Sequence, residues 1–268
     1  MVRFSNIAVM VCLITLGGCN NKSAEQKPIW EKVKIGDLAP AGGNQQGQIQ
    51  RVKGIYFQVH IFLIPAEETD KLNEISKILY TQPFRFNHFN AFNANSFSAA
   101  YGRINMGDQI FKILSNAGAE KTGTTSLMLN YGQSDDIAIT RLFESRNIYY
   151  ISEDGRSETK TIGPGVLTLR MKADQIPGSR GVCNVKAVPV FPFPFTADLP
   201  NVRQEEISKD IVFNCCGFSL KMSPGDYIFL RAQKYIDNQN SLASLFFSRP
   251  GIKPAVSAYL IVCTNIED

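Results

Sequence analysis

The sequence predicts an α+β protein: a small βαβα N-terminal region followed by a mostly antiparallel β-sheet domain. Three observations carry that expectation. Two segments before residue 118 carry apolar residues at helical spacing, apolar–polar alternation dominates from Thr124 onward, and turn signals such as "EDGR", "IPGSRG" and "SPGD" punctuate the alternating runs. Helix early and strand late reads as segregated α+β architecture.

The elements follow in order. "GIYFQVHIFLIP" (Gly54–Pro65) places Ile55, Phe57, Val59, Ile61 and Leu63 at alternate positions, the period of a strand with one buried face. "AEETDKLNEISKILY" then places Leu72, Ile75, Ile78 and Leu79 at helical spacing, with acids in the first turn where they complement the helix dipole. A second helix is expected over 106–116, "MGDQIFKILSN", with Ile110, Phe111 and Leu114 on one face. Between them lies "FRFNHFNAFNANSF" (84–97), whose asparagines argue against a regular helix. It reads as a loop and short strand whose rings plug the gap between the helices. Its alternative use is an aromatic ligand or partner surface carried by Phe86, His88, Phe89 and Phe92. From 119 the strands are "TSLMLNYG", "DDIAITRLF", "NIYYIS", "GVLTLRMKAD", "GVCNVKAVPVF", "GFSLKMSPGDYIFLRA" and "VSAYLIVCTNI".

The N-terminus carries the clearest motif. Residues 7–16 are apolar after Arg3, about half the 20 or so residues that a spanning helix needs. A basic start, a short apolar core and small residues behind it describe a secretory signal peptide. The residues Leu16-Gly17-Gly18-Cys19 resemble the lipobox of bacterial lipoproteins. That resemblance implies removal of residues 1–18, a diacylglycerol on the Cys19 thiol and acylation of its new amino group. The expected site is the bacterial cell envelope, lipid-anchored to a membrane, with Asn20 favouring the outer membrane facing the periplasm. Residues 19–50, with "NNKSAEQKP" and "APAGGNQQGQIQ", read as a flexible tether. Trp30 interrupts it within "IWEKVKIGDL" and is expected to dock on the folded body, the alternative being a place at the membrane interface. Residues 51–118 then form the α/β region and 119–268 the β-rich domain.

Composition and motifs narrow the function classes. With 44% hydrophobic and 19% charged residues, the chain is an ordinary globular one. Its net charge is +4, one fewer once Arg3 leaves, and no lysine–arginine run exists, so no nucleic acid partner is expected. There are two histidines, His60 on an expected strand and His88 in the Asn/Phe segment, with no His-Glu-x-x-His and no Cys-x-x-Cys, so no metal is expected. Asp135-Asp136 reads as solvated acids at a strand–turn junction rather than a cation site. No nucleophile elbow, phosphate loop or dinucleotide fingerprint is present, so neither catalysis nor a cofactor is expected. In an oxidising compartment Cys183, Cys215, Cys216 and Cys263 are candidates for at least one disulfide, with three connectivities open. The alternative is buried thiols. Cys183 alternates with Val185 and Cys263 with Ile261, so each faces a core, while extended neighbours Cys215 and Cys216 would point to opposite sides.

The order of the late segments carries a second resemblance. "ILSNAGAEKTGTTSLMLNYGQSDDIAI", "TIGPGVLTLRMKADQIPGSRGVCNVKAVPVF" and "GFSLKMSPGDYIFLRAQKY…SLASLFFSRPGIKPAVSAYLIVCTNI" resemble, in sequence, the closing blocks of the secretin C-terminal domain over residues 113–266. The Val-Pro-x-Leu-Gly-x-Ile-Pro segment of that family is missing, and "FPFPF" (191–195) is inserted. The resemblance implies a hairpin over 217–232 turning at Ser223-Pro224-Gly225-Asp226. Phe218, Leu220 and Met222 would share one face before the turn; Ile228 and Leu230 would share one after it, opposite Tyr227, Phe229 and Arg231. Two function classes follow. One is a secretin-related structural or assembly component of the envelope, with envelope proteins or its own copies as partners. The other is a periplasmic lipoprotein that binds a small molecule or protein through the Asn/Phe surface.

Overall fold

The structure is a computed structural model that describes residues 54–193 and 210–267. Cys19, the signal peptide, the tether and Trp30 lie outside the described residues. The chain folds as α+β with mostly antiparallel sheet, as its sequence predicts.

Two sheets dominate. Sheet A runs, in spatial order, β3 (Phe97–Arg103), β12 (Asp226–Ala232), β14 (Ala255–Ile266), β1 (Gly54–Pro65) and β4 (Glu120–Asn130), with the short β13 (Ser248–Arg249) on β14. Sheet B runs β2 (Arg85–Phe86), β11 (Phe218–Met222), β9 (Cys183–Phe191), β8 (Gly165–Gln175) and β5 (Ser134–Leu142), with β10 (Ile211–Val212) on β9. A hairpin of β6 (Arg146–Ile151) and β7 (Ser157–Ile162) stands apart. Every ladder among these strands is antiparallel.

The main core lies between the sheets. Ile55, Phe57 and Val59 of β1 join Ile228 and Leu230 of β12, and meet Leu169 and Met171 of β8 and Leu220 and Met222 of β11. The other face of sheet A is covered by helices. A 3-10 turn over Ala66–Glu74 continues into α1 (Ile75–Ile78), and α3 (Gly107–Asn116) follows β3; α2 is Phe89–Ala94 and α4 Leu242–Phe247. Leu72 and Ile75 from the first helix and Ile110, Ile113 and Leu114 from α3 pack on Phe62, Ile64, Phe229 and Leu260 of the sheet. Buried Arg231 ties β12 to the first helix by donating to Asn73 Oδ1 at 3.0 Å. The outer face of sheet B carries charged side chains, including Arg170, Lys186 and Lys221.

Several expectations are corrected. The boundary at 118/119 does not separate two bodies, because β1 pairs with β14 on one side and β4 on the other. β1, from the first region, is an inner strand of sheet A whose two adjoining strands both come from beyond residue 119. Residues 217–232 are not a hairpin: β11 pairs with β9 and β2 in sheet B, whereas β12 pairs with β14 and β3 in sheet A. The turn at 223–226 exists, closed by Asp226 N–H donating to Ser223 O at 3.0 Å, but it is a corner between sheets. The faces nevertheless fall as expected, with Phe218, Leu220 and Met222 inward, Ile228 and Leu230 inward, and Tyr227 and Phe229 under the helices. Ile61 and Leu63 are only half-buried, and Phe111 is exposed, contributing a ring edge to Phe62. Among the described residues no helix is long and apolar enough to cross a membrane.

Candidate functional site: an acidic cleft beside the Asn/Phe segment

The Asn/Phe segment folds at one end of the sandwich. It forms β2, α2 and the start of β3, so a short helix appears where asparagines argued against one. Asn95 closes its C-terminal end twice over, its backbone N–H and its side-chain Nδ2 both donating to Ala91 O, at 2.9 and 2.8 Å. The same amide donates to Ile151 O at 2.7 Å, and its Oδ1 accepts from Ile151 N–H at 2.8 Å. One buried asparagine thus holds α2 against the β6–β7 hairpin. Asn87 joins the third piece: its N–H donates to Gly217 O at 3.0 Å and its side chain to Asn214 O at 3.2 Å.

The rings divide between core and surface. Phe92 is 1% exposed and packs edge-on to Phe218 with centroids 6.1 Å apart. Half-buried Phe86 lies 4.7 Å from Phe92 and stacks on Phe84 at 5.5 Å. Such ring pairs contribute about 0.5–1.5 kcal/mol each beyond their burial. The rings plug the sandwich end rather than a gap between helices, and Phe86 and Phe92 are not an open platform. Only Phe89, 55% exposed, and His88 reach the surface.

His88 faces an acidic cleft. Its Nε2 lies 3.2 Å from Glu153 Oε2, and Glu153 lines an open cleft of about 350 Å³ with Tyr150, Ser152, Asp154, Glu158 and Cys215. The β6–β7 hairpin supplies the carboxylates and the 3-10 turn Asn214–Cys216 the opposite wall. Tyr150 Oη donates to Glu158 Oε2 at 2.5 Å; burial first, then this acceptor, pushes the phenol well above its ordinary pKa. Ser152 Oγ donates to Asp154 Oδ1 at 2.5 Å and, with the Arg156 N–H, holds that carboxyl below the usual range. Each carboxylate already has a partner in this chain, Glu153 in His88, Asp154 in Arg156 and Glu158 in Tyr150, so the cleft wall is polar and internally paired.

No family model matches the sequence, and no curated protein or solved structure matches it.

The other expected sites resolve as follows. Cys183, Cys215, Cys216 and Cys263 are all buried, and the structure joins none of the four in a disulfide. The 3-10 turn, not an extended strand, carries Cys215 and Cys216, so both point inward with sulfurs 3.8 Å apart. Burial pushes the Cys216 thiol far up. His60 is a half-exposed strand residue whose Nδ1 lies 3.2 Å from Thr124 Oγ1. Asp136 is committed to Arg170, which donates Nε to Oδ1 at 2.7 Å and a terminal nitrogen to Oδ2 at 2.8 Å. Asp135 Oδ1 accepts from the Asp136 N–H at 2.8 Å. Among the described residues no cluster of three or more His, Cys, Asp or Glu side chains is arranged to hold a metal ion. The hairpin's acids were missed from sequence; the only signal was their density in "SEDGRSE" (152–158), which reads as an ordinary turn.

Proposed function

We propose that this is an exported envelope lipoprotein, held at a membrane by acyl chains on Cys19, whose sandwich is a structural or assembly component and not an enzyme. The observation that carries the reading is Leu16-Gly17-Gly18-Cys19 directly behind the apolar run 7–16, followed by the polar tether. Several acyl chains, at about 0.8 kcal/mol per buried methylene, hold a protein where one chain would not. Supporting the assembly role, β4 is a terminal strand of sheet A and carries exposed Met128, while the opposite terminal strand β3 is bridged by Tyr80, which exchanges hydrogen bonds with Tyr101 at 2.8 and 2.9 Å. An open edge offers backbone groups to an incoming strand. The secretin-like order of the late segments is the more specific form of this proposal and implies a ring of copies.

Labelling with radioactive palmitate tests the anchor. Wild type takes up label, and Cys19→Ser takes up none and keeps its signal peptide, because thiol attack on the lipid donor requires the sulfur. Equal label in both removes the lipoprotein reading. Mass and particle shape of the detergent-purified protein then decide between a ring and a monomer. A monomer favours the second reading, a ligand-binding lipoprotein, for which the cleft lined by Glu153, the partner of His88, is the supporting observation.

A further inference from the structure

The two long-separated cysteines, Cys183 and Cys263, meet where the sheets are joined. Cys183 opens β9 in sheet B and sits opposite Met222 in the β9–β11 ladder; its thiol lies 3.6 Å from Met222 O and donates to it. Met222 is the last residue of β11, and the corner turn begins at the next position. Within that turn Gly225 N–H donates to the carbonyl of Cys263, on β14 of sheet A, at 2.8 Å. Cys183 is thus bound to the residue that leads into the corner turn and Cys263 to a residue within it, one from each sheet. Both side chains are 0% exposed and belong to the core between the sheets. In keeping with this placement, Cys183 first and burial second push the Cys263 thiol far above its ordinary value.

Cys215 and Cys216 are placed differently. They flank the far end of β11, on a turn whose Phe213 N–H donates to Pro189 O, so the length of a five-residue strand separates them from Cys183. A five-residue strand spans roughly 15 Å, beyond any disulfide. Bonding to each other is also disfavoured: adjacent Cα atoms lie about 3.8 Å apart across a trans peptide, whereas disulfides usually span about 4.4–6.8 Å.

We infer that Cys183 and Cys263 close a disulfide that staples sheet A to sheet B at the β11–β12 corner, while Cys215 and Cys216 stay as thiols. The inference rests on the export reading, since a disulfide-bearing oxidant persists in oxidising compartments. The chemistry is thiol–disulfide exchange with a donor disulfide. The Cys183 thiolate attacks one donor sulfur and expels a donor thiolate, which takes up the proton that Cys183 lost. The Cys263 thiolate then attacks the Cys183 sulfur of the mixed disulfide and expels the second donor thiol. One protein S–S bond and two donor S–H bonds replace two cysteine S–H bonds and the donor S–S bond, so the protein is oxidised by two electrons and the donor reduced.

The test uses the full chain, unfolded with reductant and refolded in a mixture of oxidised and reduced glutathione. The product is alkylated in denaturant, digested and analysed by mass spectrometry. The expected result is a cross-linked peptide pair joining Cys183 to Cys263, with Cys215 and Cys216 alkylated. Its urea midpoint should fall on reduction in wild type and stay unmoved in Cys183→Ala/Cys263→Ala. Should that variant not fold, Cys215→Ala/Cys216→Ala must keep the same cross-link. Four alkylated cysteines, or a cross-link reaching Cys215 or Cys216, overturn the inference. Acid-quenched cells test export separately: a pair that closes in glutathione but is alkylated in cells counts against export and leaves the pairing standing.

Discussion

Leu220 and Lys221 are neighbours with opposite fates. Leu220 is 2% exposed between the sheets, while Lys221 stands on the outer face of sheet B. Leu220→Asp places a carboxylate without a partner in that core and should cost several kcal/mol, enough to unfold a marginal domain. Lys221→Asp should stay within about 0.5 kcal/mol, as surface changes do. Circular dichroism and urea melts of the two variants check this; equal tolerance would remove the register. Gly225 is constrained by backbone rather than burial. Its φ of +89° closes the corner turn behind Pro224, a conformation that side chains resist. Gly225→Ala should therefore destabilise by about 1–2 kcal/mol, visible as a lower urea midpoint with an unchanged m-value. Gly102 is different again: a Cβ there would run into the Tyr227 ring, so its absence makes room for the ring.

At the scale of elements, Arg170 joins three pieces of sheet B's outer face. From β8 it grips Asp136 on β5 and donates to Asp210 Oδ2 at 2.7 Å, and Asp210 in turn accepts from Phe193 N–H at 3.1 Å. The Arg170 hydrogen bond is the main cause holding the Asp210 carboxyl below the usual aspartate range. A depressed carboxylate stabilises the fold fully above its unfolded pKa, about 3.9, and loses that contribution as pH falls through the folded value. Asp210→Asn should thus lower stability by a small, constant amount at neutral pH, and the gap from wild type should close below about pH 4. The increment is small because Asp210 is more than a third exposed. Urea melts from pH 7 to pH 2.5 measure it; a gap that widens in acid would contradict the sign. The aromatic plug and Asn95 work at this scale as well, since neither β2 nor α2 is long enough to persist alone.

For the whole molecule, the C-terminal strand β14 lies between β1 and β12, so the sandwich closes only when both ends of the described chain meet. The Cys183–Cys263 pair closes a loop of about 80 residues, for which the chain-entropy account gives roughly 4.5 kcal/mol of stabilisation. Oxidised and reduced wild type should differ by up to that amount in urea unfolding, whereas Cys183→Ala/Cys263→Ala should show no redox dependence.

By itself the sequence determined the local choices. Alternation announced β1, β8, β9 and β11, helical spacing announced the helices over 66–78 and 107–116, and Pro224-Gly225 announced a turn. It also determined which side chains of 218–231 face inward, because a period of two is a property of the strand alone. Partners were left to the tertiary structure. Whether the turn at 223–226 makes a hairpin or a corner depends on which neighbouring strands offer free edges, and here β9 and β14 belong to different sheets. The burial of Phe86 and Phe92, the helix at Phe89–Ala94 and the cleft lined by Glu153 were decided the same way. Each depends on contacts between segments roughly 60 to 130 residues apart, such as Asn95 with Ile151 and Asn87 with Asn214. So does the meeting of Cys183 and Cys263, since local pattern states the face of a residue, while only packing of the sheets states what that face meets.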